Sequence, residues 1–315
     1  MELKTATLLA FAFLAIGLTP RSRMPAQVQS SQQQLEDQIA SKLEAAQTDA
    51  ALDLARAAAA QYPQSSVLHQ LLGISLFKKG RKEEARRAFQ KAIELDSTLA
   101  PNYYNLSLLE LSESRYGQAA AALEACLRLE PQNAQARLLL GRAYHNLNRT
   151  LLAVEQFKKA LAVEPSLPLA HYHLGYAFQS QGELAAALAE FKEEIRINPR
   201  FYDAYWLAGN IELGRENLEA AGQLFQRAIA LKPEAFEAHY GLGRLFLAKK
   251  QYNEAESELK IALGARPDNV EVHYALARTY QLTGRQQEAR REYQVCSELN
   301  ARSQKRRSGI AGKEP

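Results

Sequence analysis

The chain has 315 residues, of which 47% are hydrophobic and 23% are charged, and its formal net charge at pH 7 is +4. The segment from Arg302 to the end carries a net charge of +4 by itself, so the rest of the chain is about neutral and gives no support for nucleic-acid binding through its body. Two cysteines, Cys126 and Cys296, are too few for a disulfide framework.

The amino-terminal segment predicts export. An apolar run from about Thr5 to Leu18 follows Lys4, and a polar stretch follows the run. A run of about 14 residues suits the core of a signal peptide and is short for a membrane span. We therefore expect residues 1–26 to be a signal peptide that directs the protein to the periplasm or out of the cell. The alternative is an uncleaved N-terminal segment that tethers the protein to a membrane.

A 34-residue period runs through most of the remaining chain. Prolines that share this period are Pro63, Pro131, Pro165, Pro199, Pro233 and Pro267. If the proline is numbered position 32 of each repeat, repeats 1 to 8 begin at Gln32, Ser66, Ala100, Ala134, Pro168, Tyr202, Phe236 and Val270. Position 20 is alanine in all eight repeats, and from repeat 2 onward position 8 is small and position 24 is large. Such a period is typical of stacked helical repeats.

Each of these positions has a mechanical reason. Positions 4, 7, 8 and 11 form the stripe of a first helix, and positions 20, 24 and 27 form the stripe of a second helix. Small residues at positions 8 and 20 let the two helices approach closely, and large residues at positions 7 and 24 fill the space between them. Proline at position 32 stops the second helix. The period therefore predicts a helix pair in every repeat.

The whole pattern is present in the segment ARLLLGRAYHNLNRTLLAVEQFKKALAVEP, from Ala136 to Pro165, which resembles the tetratricopeptide repeat. The resemblance covers residues 32–303. It implies an all-α fold, a right-handed superhelical solenoid of stacked antiparallel helix pairs. The first repeat departs from the pattern because it lacks the Leu-Gly pair at positions 7 and 8, and the last repeat departs because Ala301 replaces the proline.

Three glutamates also depart from the pattern. Glu110 and Glu212 occupy position 11, and Glu194 occupies position 27, where core residues are expected. Since an unpaired buried carboxylate is costly, we expect these side chains at the edge of the core.

We expect four segments along the chain. Residues 1–26 are the signal peptide or anchor, and residues 27–65 are a polar linker and a degenerate first repeat with an irregular first helix. Residues 66–303 contain seven clear repeats, and residues 304–315 form a basic, disordered tail.

The opposite face of the first helices predicts a binding site. The resemblance implies that positions 2, 5, 9 and 12 line a concave groove. Position 5 is aromatic in five of the seven clear repeats, and position 9 adds arginines. We predict a partner-binding groove that contains Tyr104, Arg142, Tyr172, Tyr176, Trp206, Asn210, Tyr240, Arg244, Tyr274 and Arg278. Tyr, Trp and Arg dominate binding hot spots, so the groove suits a peptide or protein segment with apolar and acidic side chains. The alternative interpretation is that the aromatic side chains pack on neighbouring repeats or close the superhelix on itself.

The histidines do not predict a metal site. Four of them, His69, His171, His239 and His273, occupy position 4 of different repeats, too far apart to share a zinc ion at ligand distances of about 2 Å. We interpret them as aromatic side chains at the edge of the core. No catalytic or nucleotide-binding motif is present, so we expect no enzymatic activity, no cofactor and no metal.

The sequence therefore predicts a non-catalytic scaffold or adaptor that holds a protein segment in the groove. We expect a monomer with no specific nucleic-acid partner, and membrane contact only through an uncleaved N-terminal segment. The alternative function is a structural component of an envelope assembly, which would interact through the ends of the solenoid or associate with itself.

Overall fold

The computed structural model describes the backbone of residues 26–311 and the side chains of residues 31–305. Within these residues the chain forms 16 helices and no strand. The helices are α1 (Ala26–Glu44), α2 (Thr48–Gln61), α3 (Ser66–Lys78), α4 (Lys82–Leu95), α5 (Ala100–Ser112), α6 (Tyr116–Leu129), α7 (Ala134–Asn146), α8 (Thr150–Val163), α9 (Ala170–Ser180), α10 (Leu184–Ile197), α11 (Tyr202–Gly214), α12 (Leu218–Leu231), α13 (Phe236–Ala248), α14 (Tyr252–Ala265), α15 (Val270–Leu282) and α16 (Gln286–Ala311). The predicted signal peptide lies outside the described residues.

The predicted helix pairs are confirmed, and the prolines act as expected. In repeat 4, α8 ends at Val163, two residues before Pro165. Glu164, between them, has an extended backbone with φ −133° and ψ 91°. A residue that precedes proline is driven toward this conformation because the proline ring clashes with it in a helix.

Contacts divide the chain into two compact units, which meet in the sequence between Ala170 and His171. In the first unit each helix packs on the next one from α1 to α8, and α3 also contacts α1 and α5. In the second unit the same holds from α10 to α16, and α13 also contacts α11 and α15.

Close contact between positions 8 and 24 joins the two helices of a repeat. A Cβ atom placed on Gly73 would lie 2.5 Å from Cε1 of Phe89, and one placed on Gly209 would lie 2.8 Å from Cε1 of Phe225. Both phenylalanines are fully buried. The alanines at position 20 are at most 3% exposed, which confirms the expected small-to-large packing.

The prediction that the three glutamates lie at the edge of the core is wrong. Glu110, Glu194 and Glu212 are 3%, 0% and 4% exposed. They tolerate burial because each has a partner. Nε of Arg86 donates to Glu110 at 2.8 Å, and Nζ of Lys192 donates to Glu212 at 2.7 Å. The hydrogen bond from Lys192 lowers the pKa of Glu212, so that side chain is a carboxylate.

Glu194 accompanies a local change in the repeat. The first helix of repeat 5, α9, begins at Ala170 and is 11 residues long, whereas the first helices of the other clear repeats have 13. Leu169, just before it, has a left-handed backbone with φ 67°. The backbone N–H of Tyr172, in the first turn of α9, donates to Oε2 of Glu194 at 3.3 Å. Glu194 therefore caps a shortened helix, and an N-terminal carboxylate also complements the helix dipole.

In every repeat the residue at position 15, in the turn between the two helices, has a left-handed backbone conformation. Glycine occupies this position in three repeats, at Gly80, Gly182 and Gly284. In the other five repeats the residues are Ala46, Ser114, Asn148, Glu216 and Lys250, with φ between 56° and 62°. Only glycine, and to a lesser degree asparagine, adopts this conformation readily, so four of the turns carry a conformational cost.

Both ends of the described chain are more helical than predicted. The first helix, α1, runs without interruption through the expected linker and irregular segment. At the other end α16 continues to Ala311, into the expected disordered tail. Ala301 replaces the proline that follows most of the other second helices, so no proline stops the helix there.

We expect Gly73→Ala to destabilise the protein by about 1–3 kcal/mol, because the new methyl group would overlap the buried ring of Phe89. Gly117→Ala is the matched control. Gly117 lies in α6 with no atom within 4 Å of an added Cβ, so this change should be neutral or stabilising by up to about 1 kcal/mol. Urea unfolding followed by circular dichroism measures both values. Equal stabilities of the two variants would contradict the packing described here.

Candidate partner-binding face

The predicted groove residues are distributed over both compact units. In the first unit Tyr104 on α5 is half-buried, and Arg142 on α7 is also half-buried. Burial and the nearby Cys126 thiol raise the pKa of Tyr104 to about 12, and the charge of Arg142 opposes this shift. The phenol therefore stays neutral, and an arginine is close enough to influence it.

Tyr172 was predicted to line the groove, and the structure shows that it is buried instead. Its side chain is 4% exposed. The ring contacts Phe201 edge to face with centroids 4.9 Å apart, and it also lies 6.2 Å from the ring of Phe191. Tyr176, one turn further along α9, is half-buried and stacks on Tyr172 at 6.3 Å. Tyr172 therefore packs against residues of its own repeat and leaves almost no surface for a partner.

Trp206 on α11 has both a packing side and an open side. The ring packs against clusters that include Phe225 and Leu242, and its Nε1–H donates to Oδ1 of Asp203 at 3.0 Å. The residue is nevertheless only half-buried, as is Asn210 one turn later. The hydrogen bond to Asp203 fixes the orientation of the indole ring.

On α13, Tyr240 and Arg244 form one arrangement. Tyr240 stacks on Phe236 with ring centroids 5.8 Å apart, and the exposed guanidinium of Arg244 lies 5.7 Å from the centre of the Tyr240 ring. Burial raises the pKa of Tyr240. The arginine lies at a distance typical of cation–π contacts and remains available to solvent.

On α15, the equivalent residues, Tyr274 and Arg278, are both exposed to solvent. Tyr274 is 51% exposed and contacts Tyr293 of α16 at a centroid distance of 5.9 Å. Arg278 is exposed. Neither Arg278 nor Arg244 makes an ion pair with any side chain among residues 31–305. Tyr274 is more exposed than Tyr240 because no described helix follows α16 to cover it.

Among the predicted residues of the second unit, seven keep accessible surface and Tyr172 does not. Two aromatic residues that adjoin this face, Phe201 and Phe236, were missed. Phe201, at position 34, directly precedes α11, and Phe236, at position 1, is the first residue of α13. Neither position belongs to a helix stripe, so the helical period gave no signal for them.

The row of position-4 side chains was also incompletely predicted. We expected aromatic packing at the edge of the core, and His239 and His273 are indeed only 5% and 7% exposed. The structure adds a hydrogen-bonding role. In six repeats the position-4 side chain contacts the backbone carbonyl oxygen of position 32 in the preceding repeat. These contacts are His69 to Pro63 at 3.1 Å, Tyr103 to Ser97 at 3.3 Å, Arg137 to Pro131 at 2.6 Å, Tyr205 to Pro199 at 3.1 Å, His239 to Pro233 at 2.6 Å and His273 to Pro267 at 2.8 Å.

Within the described residues, no group of three or more His, Cys, Asp or Glu side chains is arranged to hold a metal ion. No helix in this part of the chain is both long enough and apolar enough to cross a membrane. Cys126 and Cys296 are free thiols, and both are buried.

Profiles of the tetratricopeptide-repeat family match residues 66–99, 104–166, 146–200, 172–236, 212–265 and 240–295. The chain belongs to the tetratricopeptide-repeat (TPR) family. A comparison with curated proteins found no match. Proteins of the TPR family serve as protein–protein interaction scaffolds, which is consistent with the aromatic and basic face described above.

Several solved structures share the fold of this TPR protein. The Cut9–Hcn1 hetero-tetramer of the APC/C is 20% identical, with a TM-score of 0.60, over 76% of this chain and 48% of that chain. The pilF protein of Pseudomonas aeruginosa is 18% identical, with a TM-score of 0.61, over 70% and 98%. YrrB, described as a TPR protein with an unusual peptide-binding site, is 24% identical, with a TM-score of 0.51, over 58% and 95%. This chain thus spans about half the length of the Cut9–Hcn1 chain, and the similarities establish the fold alone.

We expect both cysteines of this TPR protein to resist alkylation. Burial raises the pKa of Cys126 to about 12, with a further contribution from Glu130, and burial followed by Glu292 raises the pKa of Cys296. Only the thiolate reacts, so iodoacetamide at about pH 8 should modify the folded protein more than about a hundredfold more slowly than the urea-unfolded protein. Mass spectrometry measures both rates. Rapid labelling of the folded protein would show that one thiol is accessible and ionised.

Proposed function

We propose that this TPR protein is a non-catalytic, exported scaffold that holds an extended protein segment on α11, α13 and α15. The observation that carries this proposal is the pair of exposed arginines, Arg244 and Arg278, which make no ion pair among the described residues and lie beside accessible tyrosines. YrrB, with its peptide-binding site, offers a precedent for such a use of the fold.

The charge of these arginines favours an acidic partner. Other arginines in the second unit are already paired, such as Arg285 with Glu256 at 2.6 Å and with Glu288 at 2.9 Å. Arg244 and Arg278 have kept their hydrogen-bonding capacity, and a guanidinium group binds a carboxylate through two parallel hydrogen bonds. A segment with aspartate or glutamate side chains would satisfy both of them.

The spacing of the two arginines favours an extended segment. They occupy the same position in consecutive repeats, on helices that contact each other. Packed helices lie about 8–10 Å apart, and an extended chain advances about 3.3 Å per residue. Acidic side chains about three residues apart would therefore reach both arginines, and the residues between them would lie against Tyr240 and Tyr274.

A second candidate function is interaction through the carboxy-terminal end of the repeats. The observation that favours it is the exposure of two large side chains on α15, Tyr274 at 51% and Leu282 at 52%. Light scattering over a range of concentrations distinguishes this candidate, because association through an end increases the mass with concentration and a monomeric scaffold keeps a constant mass.

We expect the double variant Arg244→Glu with Arg278→Glu to lose capture of the partner while it keeps its helical content. Both side chains are exposed, so charge reversal there leaves the core intact, whereas alanine at Trp206 or Tyr240 would also remove packing. Loss of interface arginines should weaken binding by roughly tenfold or more. Affinity capture with the wild-type chain identifies the partner by mass spectrometry, and titration with that partner then gives both affinities.

The matched control is Arg290→Glu with Arg291→Glu, which makes the same charge change at exposed positions of α16, away from the proposed face. This control should bind like the wild type. Equal loss in both double variants would mean that binding follows net charge, and equal retention would remove the groove assignment.

Export is tested separately. We expect the mature protein, isolated from its native host, to begin close to Gln27, because a signal peptide is removed and the best cleavage point follows Ala26. N-terminal sequencing measures this directly. A mature chain that retains the apolar run would support the membrane-tethered alternative.

A further inference from the structure

Two buried histidines contact oxygen atoms through both of their ring nitrogens. Nδ1 of His239 lies 2.6 Å from Oε2 of Glu258, and its Nε2 lies 2.6 Å from the carbonyl oxygen of Pro233. Nδ1 of His273 lies 2.6 Å from Oε2 of Glu292, and its Nε2 lies 2.8 Å from the carbonyl oxygen of Pro267. Each ring therefore joins three segments: its own first helix, the second helix of the same repeat and the end of the preceding repeat.

The chemistry of these contacts depends on protonation. A carbonyl or carboxylate oxygen only accepts hydrogen bonds, and a neutral imidazole has a single N–H to donate. An imidazolium donates from both nitrogens. Both contacts are therefore hydrogen bonds only when the ring is charged. In the neutral ring one nitrogen lone pair faces an oxygen lone pair, and one of the two contacts is lost.

Comparison among the repeats of this chain shows that the contact between the histidine and a glutamate occurs only in some repeats. Position 23 is glutamate where position 4 is histidine in repeats 5, 7 and 8, and His171 of repeat 5 lies 2.6 Å from Glu190. Where position 4 is tyrosine, at Tyr103 and Tyr205, position 23 is alanine or leucine. His69 faces Ala88 at position 23, and the contact described for its ring is the single one to Pro63. His69 is therefore an internal reference.

Few other ionisable groups adjoin these rings. Glu258 on α14 is the charged group that contacts His239, and Glu292 on α16 is the one that contacts His273. Cys296, one turn beyond Glu292, and Glu271 on α15 are further ionisable side chains near that pair. Burial raises the pKa of the Cys296 thiol, so the thiol stays neutral. The segments that end at Pro233 and Pro267 contribute backbone carbonyl groups.

We propose that the pairs His239–Glu258 and His273–Glu292 are protonation-dependent clamps between consecutive repeats. With the imidazolium present, each clamp fixes the first helix to the preceding repeat and to its own second helix. The second contact of each ring stabilises the fold only while the imidazole carries both protons, and it is lost when the ring loses one of them. The clamped helices, α13 and α15, carry Tyr240, Arg244, Tyr274 and Arg278, so the clamps also hold the proposed binding face, a consequence that rests on the proposed function.

The first test compares the full chain with the double variant Glu258→Gln and Glu292→Gln. A glutamine amide can donate to Nδ1 of a neutral ring while Nε2–H donates to the proline carbonyl, so this variant satisfies both contacts without a charged ring. The wild-type unfolding midpoint should fall by roughly 4–8 °C between about pH 6 and about pH 8, and the variant should lose most of this fall. The variant Glu234→Gln with Glu298→Gln removes the same charge at exposed positions and should behave like the wild type.

The second test reads the protonation state directly through the ¹⁵N chemical shifts of the imidazole nitrogens. His239→Tyr and His273→Tyr assign the signals, and tyrosine is tolerated at position 4 because Tyr205 makes the equivalent carbonyl contact. The clamp predicts protons on both nitrogens of His239 and His273 under conditions in which the ring of His69 is neutral. Neutral rings at His239 and His273, or the same pH dependence of unfolding in the wild type and the glutamine variant, would overturn the clamp. Both tests use the protein without a partner, so their failure leaves the proposed function untouched.

Discussion

Close contact between a large side chain at position 24 and a small residue at position 8 is the constraint on which the rest of the structure depends. Phe225 makes this contact twice, because its ring lies against Gly209 of its own repeat and against Gly241 of the next one. One aromatic ring thus joins both helices of a repeat and fixes the approach of the following first helix. Since this packing occupies one side of each first helix, the side chains at positions 5 and 9 lie on the other side, where Tyr172 is buried and Arg244, Tyr274 and Arg278 are exposed.

The helix pairs were predictable because single residues decide them. A glycine without a Cβ atom or a proline without an N–H acts in the same way wherever it occurs, so the period alone located every helix pair. The buried glutamates were not predictable, because each depends on a partner from another helix. Glu110 is tolerated because Arg86 of the preceding repeat reaches it, and no pattern within a single repeat contains that information.

The candidate site was also predictable only in part. The sequence predicted which residues share the face, since that follows from helical geometry. It did not predict their exposure, which depends on whether another side chain or helix covers each ring. Tyr172 and Tyr274 occupy the same position, yet Phe201 covers the first ring and no described helix covers the second. The contacts from position 4 to the proline carbonyl were also missed, because they connect side chain and backbone and leave no periodic signal in hydrophobicity.

The left-handed turns at position 15 have a consequence for the evolution of this array. Their side chains lie between the two helices of a repeat and belong to neither the core stripe nor the binding face. A change between glycine and another residue there alters the stability of one repeat by an amount on the order of 1 kcal/mol and leaves both surfaces as they were. Because the stability of a repeat array is approximately a sum of terms for single repeats and for neighbouring pairs, changes in these turns can accumulate one repeat at a time. The rigidity of the array and its choice of partner can therefore be selected separately.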